Sequence, residues 1–111
     1  MHTTLLEDFV VASNSDNRIE AFYIDTETAT VMHTWQLEPD NPASWSSPEP
    51  LYGTNSSGGG SNASLTGAHR VEATTDADGQ IHVVASTTDN KYHVCYQTPG
   101  KWNGWFEIQQ K

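Results

Sequence analysis

The sequence predicts an all-β protein made of two four-stranded antiparallel units, on three observations. Apolar and polar residues alternate at period two along much of the chain, the spacing of half-buried strands. Four Trp, four Tyr and three Phe stand among frequent Val, Ile and Thr in 111 residues, and such side chains suit a pleated surface. The residue order from Asp16 to Gly53 returns, in register, in the last third of the chain. No window joins apolar residues at i, i+3, i+4 and i+7 to caps at both ends, so no helix is predicted.

The first strand is read at Phe9, Val11 and Ser13, alternating with Val10 and Ala12, and the turn Asn14-Ser15-Asp16-Asn17 ends it. Arg18 to Ile24 follows, with Ile19, Ala21 and Tyr23 on one face and Glu20, Phe22 and Ile24 on the other. The polar run Asp25-Thr26-Glu27-Thr28 breaks it, Val31 to Leu37 forms a third strand, and Glu38-Pro39-Asp40-Asn41-Pro42 stops that one. Pro48 and Pro50 flank the next run before Leu51. Proline removes a ladder donor, so a fourth strand here is expected to be short and at an edge. Together these make one antiparallel meander.

Thr54 to Gly67 differs in kind, being rich in Gly, Ser and Asn. That composition is one of a flexible linker with little to bury. Asn55-Ser56-Ser57 and Asn62-Ala63-Ser64 match the glycosylation sequon, and in so Ser/Asn-rich a stretch they are read as chance matches.

Beyond the linker the pattern repeats. Asp16-Asn17-Arg18-Ile19-Glu20-Ala21 aligns with Asp78-Gly79-Gln80-Ile81-His82-Val83. With a one-residue gap in the following turn, Val31 to Gln36 aligns with Tyr92 to Gln97, then Trp45 with Trp102 and Leu51 with Ile108. Upstream, Phe9 and Val11 match Val71 and Ala73. Each repeat has the size of a four-stranded propeller blade. The predicted organisation is blade 1 over residues 1–53, a linker over 54–67 and blade 2 over 68–111. Two small twisted sheets do not bury a continuous core by themselves, and repeat folds need more units. The chain is therefore expected to close into a β-propeller by homo-oligomerisation, with a trimer of six blades favoured over a tetramer of eight.

Charge and composition exclude several function classes. Fourteen Asp and Glu against five Lys and Arg give a formal net charge of -9, which repels phosphate backbones, so nucleic acid is not an expected partner. No apolar run approaches the ~20 residues of a membrane-spanning helix. The N-terminus lacks the basic flank and apolar stretch of a signal peptide, which leaves localisation open. Cys95 is the one cysteine, so no internal disulfide forms; set mid-strand between Val94 and Tyr96, it reads as a small buried hydrophobe rather than a nucleophile. The five His form no HExxH pair or cysteine-histidine cluster. His33 reads as an ordinary strand histidine. Asp76-Ala77-Asp78-Gly79 lacks the closing Glu of a calcium loop. With no nucleophile elbow, P-loop or dinucleotide fingerprint, no metal, cofactor or enzymatic activity is expected.

The aromatic set remains. Phe22 and some strand aromatics are needed between blades, whereas Trp45 and Trp102 stand at loop-to-strand junctions where full burial is harder. Exposed indole beside polar side chains is what sugar recognition needs: the C–H face of a pyranose stacks on the ring while amides, guanidinium or carboxylates take the hydroxyls. The candidate sugar-binding residues are Arg18, Glu20, Trp35, Gln36, Trp45, Arg70, Glu72, Tyr96, Gln97, Trp102 and Trp105.

The order Asp-Asn-Arg-Ile-Glu-Ala-Phe, then His-Thr-Trp-Gln, then Trp-Ser followed by Leu51 and Gly53 resembles a blade of the Photorhabdus-type bacterial propeller lectins. Blades of that family typically read DGRLEVF, LWHRWQ and WSGWxxLGG in turn. The first repeat matches at Asp16, Arg18, Ile19, Glu20, Phe22, His33, Trp35, Gln36, Trp45, Ser46, Leu51 and Gly53; the second keeps Asp78, Gly79, Ile81, Tyr96, Gln97, Trp102, Gly104 and Trp105. The resemblance implies a lectin that takes fucosylated or O-methylated glycans in shallow pockets between neighbouring blades. Pro48 and Pro50 depart from the Gly-Trp pattern of the family's fourth strand. The short chain is also reminiscent of trimeric two-blade fucose lectins of plant-associated bacteria.

Two other readings stand beside this one. A structural or protein-binding propeller module, including an excised or engineered fragment, fits the Ser-Gly-Gly-Gly-Ser run at 57–61. A propeller hydrolase of the sialidase kind needs an arginine cluster, and the chain offers only Arg18 and Arg70.

Overall fold

The computed structural model describes residues 9–53 and 63–109. It contains two sheets. The first is built from β1 (Phe9–Ser13), β2 (Ile19–Asp25), β3 (Thr30–Trp35) and β4 (Glu49–Pro50), the second from β5 (Ala68–Thr75), β6 (Ile81–Thr87), β7 (Tyr92–Thr98) and β8 (Lys101–Glu107). In both, the strands pair in chain order and every pairing is antiparallel. Among the described residues there is no helix, hence none long and apolar enough to cross a membrane. Both sequon matches include residues outside the described ranges.

The hydrogen bonds reproduce the repeat position by position. Gln36 accepts the Ile19 N–H on its side-chain Oε1 at 2.7 Å, and Gln97 accepts the Ile81 N–H in the same way at 2.8 Å. The Leu51 N–H donates to the Val31 carbonyl at 2.9 Å, and the Ile108 N–H to that of Tyr92 at 2.8 Å. The first turn of each sheet is closed by a residue at positive φ, Asn17 at 71° and Gly79 at 80°, the left-handed conformation that Asn and Gly tolerate best. Proline confines β4 to two residues at the edge of its sheet, whereas β8, free of proline, runs to seven.

Strand alternation decides what each face carries. Val10, Ala12, Glu20, Phe22, Ile24, Val31, His33, Trp35, Glu49 and Leu51 share one face of the first sheet by register. The inner face of the second sheet packs against the apolar end of this row. Ala12, Phe22, Val31 and Leu51 join Ala68, Val71, Ile81, Val83, Ala85, Cys95 and Trp105 in a single buried cluster. Each large apolar side chain so buried contributes about 1.5–3 kcal/mol. The seam is close enough that Gly53 is required: a Cβ there would sit 2.4 Å from the Gly104 carbonyl oxygen. Side-chain donors cross it too, with Trp105 Nε1 donating to the Leu51 carbonyl at 2.9 Å and Thr75 Oγ1 to that of Ser13 at 2.8 Å.

Of the stretch read as a linker, residues 54–62 lie outside the described ranges. Its last residues belong to the packed structure: Leu65 lies against the core, and its carbonyl accepts the Val31 N–H at 3.1 Å. That apolar side chain interrupts an otherwise polar run.

Candidate functional site

Where the shared face of the first sheet turns polar, the two sheets part into a cleft of about 630 Å3. Its walls come from the β1–β2 turn (Asn14 to Asp16, with Arg18), from Glu20, His33 and Trp35, from Glu49, Pro50 and Tyr52, and from the β7–β8 hairpin with Gln97, Lys101 and Trp102. The β-hairpin register explains the floor. Glu20 and His33 point to the same side of adjacent strands, two residues apart along the ladder, and Nδ1 of His33 lies 2.6 Å from Glu20 Oε2. Both residues are over nine-tenths buried, at 4% and 7% exposure. Asn14 Nδ2 donates to the other Glu20 oxygen at 3.2 Å, and Asn14 Oδ1 accepts from Gln97 Nε2 across the seam at 2.8 Å. The carboxylate is thus satisfied on both oxygens, as a buried charge requires.

Aromatic rings surround the imidazole. Its centroid lies 4.8 Å from that of Trp35 and 5.9 Å from that of Trp102, which it meets edge to face. Trp102 also stands edge to face on Phe22 at 5.9 Å. Among the described residues no hydrogen bond is made through His33 Nε2, and no fully enclosed polar side-chain atom lacks a partner. His33 lines the cleft, so this nitrogen is its polar atom open to a ligand. At the rim, Arg18 is oriented by a 2.7 Å bond from Nε to Asp16 Oδ2 and a 3.3 Å bond from Nη1 to the Gln36 carbonyl. The Arg18 guanidinium bonded to Asp16 holds that carboxyl below its ordinary value. The arrangement offers ring faces for apolar C–H surface and fixed donors and acceptors for hydroxyls, with cations and carboxylates both at the rim.

The sequence-predicted residues divide into those the cleft gathers and those it does not. Arg18, Glu20, Trp35, Gln97 and Trp102 line it together. Gln36 is buried behind it and pins the start of β2. Trp45 is exposed outside the cleft, its Nε1 donating to the Pro42 carbonyl at 2.8 Å. Tyr96 lies on the far side of the second sheet between the rings of His82 (5.6 Å) and Phe106 (5.9 Å). Trp105 is in the core. Arg70 and Glu72 form a 3.5 Å exposed ion pair beside a second cleft, lined also by Phe9 and Ile24. Sequence reasoning missed Asn14, Glu49, Tyr52 and Lys101, and took His33 for an ordinary strand residue. The signal for His33 was there, since alternation across the β2–β3 turn puts it on the face of Glu20.

Cys95 is remote from this chemistry: burial pushes its thiol up to about 12, far from the thiolate a nucleophile needs. No three His, Cys, Asp or Glu side chains gather as a cation cage among the described residues. No protein-family model matches the chain, and no curated protein matches it.

Proposed function

We propose that the chain is a carbohydrate-binding lectin whose cleft between the two sheets takes a fucose-like or O-methylated sugar. The observation that carries this reading is the meeting, in one cleft, of the Trp35 and Trp102 rings with the oriented Arg18 guanidinium and the Gln97 amide. A pyranose has the matching pair of surfaces, an apolar C–H face and a ring of directional hydroxyls. On this reading the cleft holds its ligand without turning it over, and Glu20 serves to fix His33 and Asn14 in the floor. Closure of several chains into a propeller, three copies giving six blades, would present such clefts together, so that weak single contacts add through high effective concentration.

Isothermal titration with free fucose and its O-methyl derivatives, alongside a glycan array, tests the reading. Binding is expected, with Trp102→Ala weakening it about tenfold or more through lost stacking. Silence across fucosylated and methylated sugars would overturn it.

A further inference from the structure

The polar groups beneath the cleft form one hydrogen-bonded chain, and each link in it runs in a single sense. It starts at the Ile81 N–H, which can only donate and reaches Gln97 Oε1 at 2.8 Å. That fixes the Gln97 amide, whose Nε2 donates to Asn14 Oδ1 at 2.8 Å. Asn14 is fixed in turn, with Nδ2 donating to the Arg18 carbonyl at 3.1 Å and to Glu20 Oε1 at 3.2 Å. A flip of this amide would set its oxygen against both of those oxygens and its nitrogen against the Gln97 nitrogen. Glu20, a carboxylate, only accepts, so the proton of the 2.6 Å contact at its other oxygen sits on His33 Nδ1. In a neutral imidazole the second nitrogen is then a bare lone pair.

We infer that this chain holds His33 as the Nδ1–H tautomer, so that Nε2 meets the ligand as a hydrogen-bond acceptor. The cleft then selects a molecule that brings a hydroxyl or N–H donor between its two indoles. The rim carboxylates Asp16 and Glu49 are exposed. His33 is 7% exposed and lies against the Trp35 ring with centroids 4.8 Å apart, so its acceptor has a fixed direction. An alcohol supplies the proton such an atom needs. A methyl ether does not, and it would leave the lone pair covered and without a partner. This selection rests on the lectin reading and deepens it: O-methyl groups can lie on the rings, but the hydroxyl that faces His33 must be free. The same chain can be inverted. In Glu20→Gln the Asn14 amide keeps the introduced carbonyl on its own side, which turns the introduced amide nitrogen towards His33 Nδ1. Nδ1 then accepts and the proton moves to Nε2, a donor that a methyl ether satisfies as well as an alcohol.

Two measurements on the full chain test it. Nitrogen NMR of the imidazoles at about pH 8, above the ordinary histidine range, is expected to show His33 protonated at Nδ1 in wild type and at Nε2 in Glu20→Gln. Loss of the signal in His33→Phe assigns it. Wild type protonated at Nε2, or at both nitrogens, overturns the inference whatever sugar binds, and this spectrum decides even where the Glu20 variant does not fold. Isothermal titration with fucose and each of its mono-O-methyl ethers is expected to find an ether that binds wild type about tenfold or more weakly than fucose. In Glu20→Gln that gap should close. Ethers that all bind like fucose overturn the selection and leave the lectin reading intact, as does a gap unchanged in the folded variant. A protein that carries the Nδ1 proton and binds none of these sugars overturns the lectin reading, and the sugar hydroxyl with it, while the tautomer stands.

Discussion

The first sheet and the second share one hydrogen-bonding plan, yet the first carries a buried acid–imidazole pair, Glu20 with His33, and the second an exposed one, Asp76 with His82, at the positions of Asn14 and Glu20. In the first, Glu20 and His33 sit under the second sheet at 2.6 Å. In the second, Asp76 and His82 meet at 2.8 Å with both side chains over a third exposed. The repeat therefore conserves the skeleton, and stacking order, rather than residue type alone, decides which polar pair becomes a cleft floor. A duplicated unit acquires different chemistry both by exchanging residues, as Glu20 for His82 and His33 for Val94, and by being covered or left bare.

The largest expected effect breaks the covered side. Phe22→Ala should cost about 3–5 kcal/mol as a cavity in the seam, whereas the equivalent Val84→Ala should cost about 1 kcal/mol or less in the monomeric chain; urea midpoints at low protein concentration compare them. Gly53→Ala comes next, because its Cβ would meet the Gly104 backbone at 2.4 Å. A loss of about 1–3 kcal/mol is expected, against about 1 for Gly100→Ala, where φ is 80° but nothing lies within 4 Å. Gln36→Ala and Gln97→Ala remove the same backbone pin from each sheet, each leaving one N–H unpaired for about 1–3 kcal/mol. Only Gln97→Ala also frees Asn14, so only that variant should weaken sugar binding measured by titration.

The smallest effect is one of pH. Asp16 is held low chiefly by the Arg18 guanidinium, Asp76 chiefly by the Gln80 N–H and then by His82. With folded values below unfolded ones, both contributions are present above the ordinary carboxylate range and are lost as pH falls through the lowered values. Carboxyl-carbon NMR titration should show Arg18→Gln returning Asp16 towards its ordinary value without moving Asp76. His82→Gln should move Asp76 only in part, since the Gln80 N–H stays.

Much of the fold was legible in the sequence because period-two alternation and turn residues act locally. The alignment of Leu51 with Ile108 and of Gln36 with Gln97 reappears as matched hydrogen bonds. The site was less legible, because four residues of one type, tryptophan, met three different fates. Trp35 and Trp102 line the cleft, Trp45 faces outward, and Trp105 turns into the core. The last follows a register shift between β7 and β8 at Val94 and Tyr96; such an irregularity re-aims the side chains that follow it, and no local pattern announces it. Nor does alternation say which face of a sheet another will cover, and that choice separates His33 from a solvent-facing strand histidine.

The sealed thiol makes the seam observable in time. Cys95 lies at 0% exposure between the sheets with its sulfur 2.8 Å from where a Cβ on Gly104 would stand, so an aqueous alkylating reagent reaches it only when the layers separate. Its labelling rate under native conditions is a built-in clock for that opening, and a ligand that bridges Trp35 and Trp102 should slow the clock without touching the sulfur.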